Sequence, residues 1–169
     1  MAMMSKPAVL LRPDNGNPGA HGFRASITVL RSSANNRRSE DIRRVVDGYR
    51  RLRDTVCRFL SMLADSLGDA QPLEALSSRS FDELIASVIE HARAADFRRI
   101  DELLIVAEEA RLAKHRRNIV FMHDAARDGT AMRDAALVFE YLDARFAGLC
   151  VDHLMDVRSR LAHANAYLD

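Results

Sequence analysis

The chain reads as all-α: an up-and-down bundle of about four to five helices with an irregular basic N-terminal arm. Three observations carry this expectation. The 169 residues include only seven Gly and four Pro, no Trp, and abundant Ala, Leu and Arg, a composition that favours helix. From Ser39 onward apolar residues recur every three or four positions, the period that gathers them on one helical face. No alternating pattern closed by a hairpin signal interrupts that period. The length suits one domain with a proper core, 39–169, preceded by the arm at 1–38.

In the arm, Pro13, Asn15, Gly16, Asn17, Pro18, Gly19 and Gly22 are followed by Ser32, Ser33, Asn35 and Asn36, which reads as irregular backbone. Ser26-Ile27-Thr28-Val29-Leu30 has strand character but no evident partner. A first helix is expected from Ser39 to Gly68, with Ile42, Val45, Val46, Tyr49, Leu52, Val56, Phe59 and Leu63 on one face and arginines on the other. Residues 69–79, with Pro72, form a connection. Ser80-Phe81-Asp82-Glu83 is a capping box, in which serine and glutamate satisfy free amides at a helix start; its helix runs to about Arg93. After Ala94-Ala95-Asp96, a third helix carries Phe97, Ile100, Leu103, Ala107, Ala110 and Ala113. Continued to His123, it would be about 40 Å long at ~1.5 Å per residue. Asp128-Gly129-Thr130 marks a turn, with Thr130 as the next cap. The fourth helix runs from Ala131 toward Tyr167, burying Leu137, Tyr141, Leu142, Phe146, Leu149, Leu154, Leu161 and Leu168, with Gly148 as a point of bending. Met62, Met122, Met132 and Met155 are expected as core filler.

Charge narrows the function classes. Residues 1–38 carry +5 and residues 39–169 carry −4, for a net +1. A mildly acidic body is not a general nucleic-acid binder, so contact with RNA would be local or through the arm. Cys57 and Cys150 stand far apart within helical patterns and read as buried free thiols in a reducing, cytoplasmic setting. No apolar run approaches the ~20 residues of a membrane span, and the start of the chain lacks a signal-peptide pattern. No His, Cys or carboxylate spacing matches a metal site, and no glycine-rich loop suits a phosphate-bearing cofactor. The expectation is therefore no metal and no cofactor.

The chemistry-bearing stretch is Arg116-Arg117-Asn118-Ile119-Val120-Phe121-Met122-His123. A guanidinium clamps a phosphate with two parallel hydrogen bonds and stabilises its extra charge in a transition state. An imidazole moves a proton near neutral pH. In RNA cleavage without a metal, Arg117 would hold the scissile phosphate and His123 would take the proton from the 2′-hydroxyl. Asn118 would orient an oxygen or the ring, and Arg116 would add a substrate contact. On an ideal α-helix Arg117 and His123 are about 120° out of register. The site therefore needs either a loosened helix or two subunits meeting at an axis.

This stretch resembles the signature of the HEPN superfamily, the higher-eukaryote and prokaryote nucleotide-binding domains. That signature is an arginine, usually followed by a polar residue, then a histidine after four to six intervening residues. Arg117, Asn118 and His123 fit it, and the helix order over 39–169 is similar. The resemblance implies a metal-independent endoribonuclease of the toxin or defence type, acting on RNA as a homodimer, with a cognate antitoxin or other protein partner. It also covers non-catalytic members, which bind nucleotides or scaffold complexes. The bulky Phe121-Met122 pair departs from an open site. A second match, Arg158 to His163, lies in an amphipathic helix with no turn beside it and reads as a solvated face. The other class of reading is a helical dimerisation or protein-interaction module without catalysis, using the apolar stripes of the first and fourth helices.

Overall fold

The computed structural model describes the backbone of residues 18–69, 72–121 and 129–166, and the side chains of 36–69, 72–121 and 129–163. Residues 1–36 and 37–169 form two compact units. Five α-helices and no strand are present among the described residues. The all-α bundle expected from the periodicity is what the chain forms.

The first helix, α1, spans Pro18–Ser66 and corrects the boundary expected at Ser39. Past Gly22 neither glycine nor proline appears until Gly48, so nothing local stops a helix there. Residues 26–30 are accordingly helical rather than extended. The irregular reading of residues 1–17 lies outside the described residues. At its other end α1 closes as expected at Gly68. That residue sits at φ 77°, and the amides of Gly68 and Asp69 donate to the carbonyls of Asp65 and Ala64 at 3.1 and 2.9 Å. This pair of bonds satisfies the last carbonyls of a helix and requires a left-handed residue.

The connection holds a short helix not read from the sequence, α2, Leu73–Ser77. Leu76 is fully buried, and Arg53 of α1 donates to the Ser77 carbonyl at 2.7 Å and to that of Arg79. An apolar anchor and a guanidinium cap thus lay the connection back along α1. The capping box opens α3, Phe81–Ala94, with the Ser80 amide donating to Glu83 Oε2 at 2.7 Å. After α3, the amides of Asp96 and Phe97 donate to Arg93 and Ala92 in the same pattern as at Gly68. Here an aspartate occupies the left-handed position, at φ 50°, where Asp is tolerated at a cost of about 1 kcal/mol. Then α4 spans Ile100–Ala113, a 3-10 segment spans Lys114–Phe121, and α5 spans Gly129–Ala166 without a break at Gly148.

Pairwise contacts set the helix directions. Arg51 meets Glu140 at 3.3 Å and Thr55 donates to Asp143 at 2.5 Å, so α1 and α5 run parallel. The ring of Tyr49 lies 5.6 Å from Phe81, and that of Phe59 lies 5.6 Å from Phe97, so α1 and α3 also run the same way. Lys114 pairs with Asp82, and Arg99 pairs with Asp152, which makes α4 antiparallel to its neighbours. Simple alternation holds from α3 through α5, while the return through α2 makes α1 and α3 parallel.

Phe59, Phe139 and Phe146 centre the core with Leu52, Leu60 and Leu84, all fully buried. Each contributes about 1.5–3 kcal/mol by leaving water. At Gly48 an added Cβ would meet Phe139 Cβ at 3.3 Å, so a small residue lets α1 and α5 close up. The buried face expected for α5 needs correction: Leu142, Phe146 and Leu149 are buried, whereas Leu137, Tyr141, Leu154 and Leu161 are 52–61 % exposed. The helix is apolar on several sides and only one of them meets the bundle. Val46 of α1 is exposed for the same reason, and so is Met155, while Met132 is fully buried; Leu168 and Met122 lie outside the described residues. Cys57 and Cys150 are free. Burial raises both thiols, that of Cys150 to about 12, which keeps them protonated at neutral pH. No described helix is long and apolar enough to cross a membrane.

Candidate functional site

Three cations and a histidine in a row, Lys114 to Arg117, follow the C-terminus of α4, where the partial negative charge of the helix end favours positive side chains. There the chain tightens from α to 3-10 over eight residues, long for that conformation. The change corrects the continuous α-helix expected to His123, and it also sets the site. At three residues per turn, side chains three apart lie above one another, so Lys114 aligns with Arg117 and His115 with Asn118. Those four side chains line one cleft of about 280 Å³ with Tyr49, Arg53 and Asp82.

Arg117 is exposed, and Tyr49 braces it. The guanidinium carbon lies 4.9 Å over the ring centroid and Nη1 donates to Tyr49 Oη at 3.1 Å. The Tyr49 ring is itself wedged against Phe81 and Phe139 at 5.6 and 5.5 Å. A surface cation therefore rests on an aromatic platform rooted in the core. Stacking of this kind holds the guanidinium plane while leaving its other N–H groups for a ligand. The alternative of an outward ion pair with α4 is not taken: Glu109 binds Arg145 at 2.7 Å and Glu108 faces Arg111.

Asn118 and His115 are both exposed on the cleft wall. Arg116 is exposed too but does not line the cleft, because it falls on the remaining edge of the 3-10 turn. Lys114 is tied to Asp82, whose carboxyl it holds below the usual range by hydrogen bonding. Arg53 is committed to the carbonyls after α2. The guanidinium left facing the cleft is thus that of Arg117, with the His115 imidazole beside it. Phe121 is 85 % exposed, so it does not wall the segment in. His123 lies outside the described residues. The α-helical offset of about 120° between Arg117 and His123 does not apply to a segment wound as 3-10 through Phe121.

The rival pair behaves as the sequence led one to expect. Arg158 and His163 are exposed on α5, and the His163 ring is turned back on its own helix, with Nδ1 2.7 Å from the Ser159 carbonyl. Among the described residues no three His, Cys, Asp or Glu side chains gather as a metal-binding group.

At the opposite end of the bundle the structure adds a residue whose importance sequence reasoning missed. His153 stood alone in the sequence and is only 5 % exposed. It lies between Phe59 and Phe97, with ring centroids at 6.2 and 5.9 Å. Its place in the line Phe139, Leu142, Phe146, Leu149 was the available signal, since the next inward positions fall at 153.

No family model, no curated protein and no solved structure matches this chain.

Proposed function

We propose that this chain is a HEPN-like helical protein acting as a metal-independent endoribonuclease of the toxin or defence type. The observation that carries this reading is Arg117, an exposed guanidinium stacked on Tyr49 at 4.9 Å, beside Asn118 and His115 in one cleft. In this reading Arg117 binds the scissile phosphate and stabilises its charge as the 2′-oxygen attacks. Asn118 orients a phosphate oxygen, Arg116 holds flanking backbone, and His123 takes the 2′-proton. The active form is a homodimer in the cytoplasm, controlled by a cognate antitoxin or other protein partner.

The experiment is incubation of the purified full chain with RNA in excess chelator, analysed for cyclic-phosphate ends. Arg117→Ala should lower the rate about hundredfold or more, the scale for losing one transition-state donor. His123→Ala and His115→Ala, run beside it, identify which imidazole moves the proton. Cleavage that survives Arg117→Ala would sink the assignment.

A second reading, a non-catalytic dimerisation or interaction module, is favoured by one specific observation. Leu137, Tyr141, Val151 and Met155, each at least 57 % exposed, are spaced four, ten and four residues apart, which keeps them on one face of α5 where a helix partner could pack. Intact RNA after incubation, together with self-association of the same sample in sedimentation, would establish the module instead.

A further inference from the structure

An unbroken line of exposed positions runs along α5 at steps of three and four, from Asp134 to Arg158. At about 100° per residue it lies opposite Phe146, the fully buried side chain at its midpoint. Between the charged ends the line carries Leu137 and Tyr141, then Ala144 and Gly148, then Val151 and Met155. That rhythm belongs to a helix that packs along its length against a second helix. The glycine has no reason within the chain itself. At Gly48 an added Cβ would meet Phe139 at 3.3 Å, whereas at Gly148 it would meet nothing within 4 Å. Inside a helix glycine is the costliest residue short of proline, and it is useful where another backbone must come close.

The line matches itself when reversed. Counted outward from Phe146, Ala144 and Gly148 stand two residues away, Tyr141 and Val151 five, Leu137 and Met155 nine, and Asp134 and Arg158 twelve. Small thus mirrors small, large mirrors large, and the outermost pair is opposite in charge. A two-fold axis demands such a pattern, because residue i of one copy meets residue j of the other and j meets i. Charge sets the direction. An antiparallel copy brings Asp134 to the partner's Arg158 at both ends, while a parallel one would set like charges together. Glu140, Arg145 and Asp152, which border the line, are already held by Arg51, Glu109 and Arg99. Asp134 and Arg158 form no ion pair among the described residues.

We propose that the outward face of α5 pairs with the same face of a second copy of this chain, antiparallel and centred on Ala144 and Gly148. Steps averaging 3.5 residues drift by about 20° per seven residues on a straight helix, and a crossing of about 20° takes up that drift. At the centre Ala144 meets the partner's Gly148, so the axes approach toward the near end of the usual ~8–10 Å. On either side Tyr141 packs on the partner's Val151 and Leu137 on the partner's Met155. The Tyr141 ring is steadied for this by Arg145, whose guanidinium carbon lies 5.5 Å from its centroid. The proposal rests on the reading of the chain as a self-associating protein and names the surface and its order. It holds with or without RNA cleavage, and a dimer formed through another face would keep that reading while overturning this one.

Sedimentation equilibrium of the full chain is the test, and the unaltered protein should be a dimer. Gly148→Leu, whose side chain enters open space within its own chain, should keep its helix content in far-ultraviolet dichroism and sediment as a monomer. Asp134→Arg or Arg158→Asp alone should raise the dissociation constant about tenfold by setting like charges at both ends. The double reversal should restore it. Within one helix the two positions are about 36 Å apart at ~1.5 Å per residue, so a rescue arises between copies in antiparallel order. A monomeric unaltered chain, an undiminished dimer in Gly148→Leu, single reversals without effect, or a double reversal no tighter than the single ones would each overturn the proposal.

Discussion

The two ends of the bundle treat their polar groups in opposite ways. At the α4 end, Arg117 and His115 are exposed on a 3-10 segment, and Tyr49 braces Arg117 from beneath. At the other end, His153 is packed between two phenylalanines with one nitrogen unsatisfied. The contrast separates availability from conservation of shape. A cation that keeps its water and rests on a rigid ring can meet a phosphate without further rearrangement. A buried imidazole wedged between two phenylalanine rings serves the packing of its own end. The first end is built by local winding, the second by packing between distant parts of the chain.

The largest expected difference is in stability. Phe59 is fully buried against Phe97 and His153, so Phe59→Ala should cost about 3–5 kcal/mol. Arg117→Ala should change stability by less than about 1 kcal/mol. Urea unfolding monitored by far-ultraviolet dichroism compares the two directly, and similar costs would break the contrast.

The next effect is in pH dependence. Burial, first, and Arg160, to a smaller extent, hold the His153 imidazole below its ordinary value of 6.5, against opposing contributions from the Met62 backbone and Asp156. As pH falls below 6.5, the unfolded chain takes up the proton before the folded one. The stability tied to this residue is therefore complete above 6.5 and is lost between 6.5 and the lowered folded value. His153→Phe should flatten that part of the profile in urea titrations from about pH 8 to about pH 5. An unchanged slope would remove His153 as its source.

The smallest effect concerns the frame of the Arg117 cleft. Ser80 lines it and caps α3 through the Glu83 amide at 3.3 Å. Ser80→Ala should lower stability by about 1 kcal/mol, read as a modest drop in Tm. A larger loss would mean that the cleft, and not only the helix start, depends on this serine.

Particular residues show how far the sequence reaches. The capping box at Ser80 and Glu83 and the stop at Gly68 were legible because each rests on chemistry within a few positions. The second stop, at Asp96, carries the same hydrogen-bond pattern without its glycine, and Arg37 to Ser39 carry no such punctuation at all, so the early start of α1 was not legible. Arg117 and Asn118 were singled out by residue type and by their spacing to His123, whereas their shared cleft with His115 needed the 3-10 winding that the apolar period does not signal. His153 was passed over as isolated, because its aromatic neighbours, Phe59 and Phe97, lie far away in the chain.

By itself the sequence determined the helical class, most of the caps and the cationic cluster, since these follow from backbone propensity and side chains within one or two turns. Only the tertiary structure decided which side of α5 is buried, which way α1 and α3 run, and which histidine is sealed in the core. Those outcomes depend on what distant surfaces exclude from water, and an apolar residue carries no local mark of the partner it will meet.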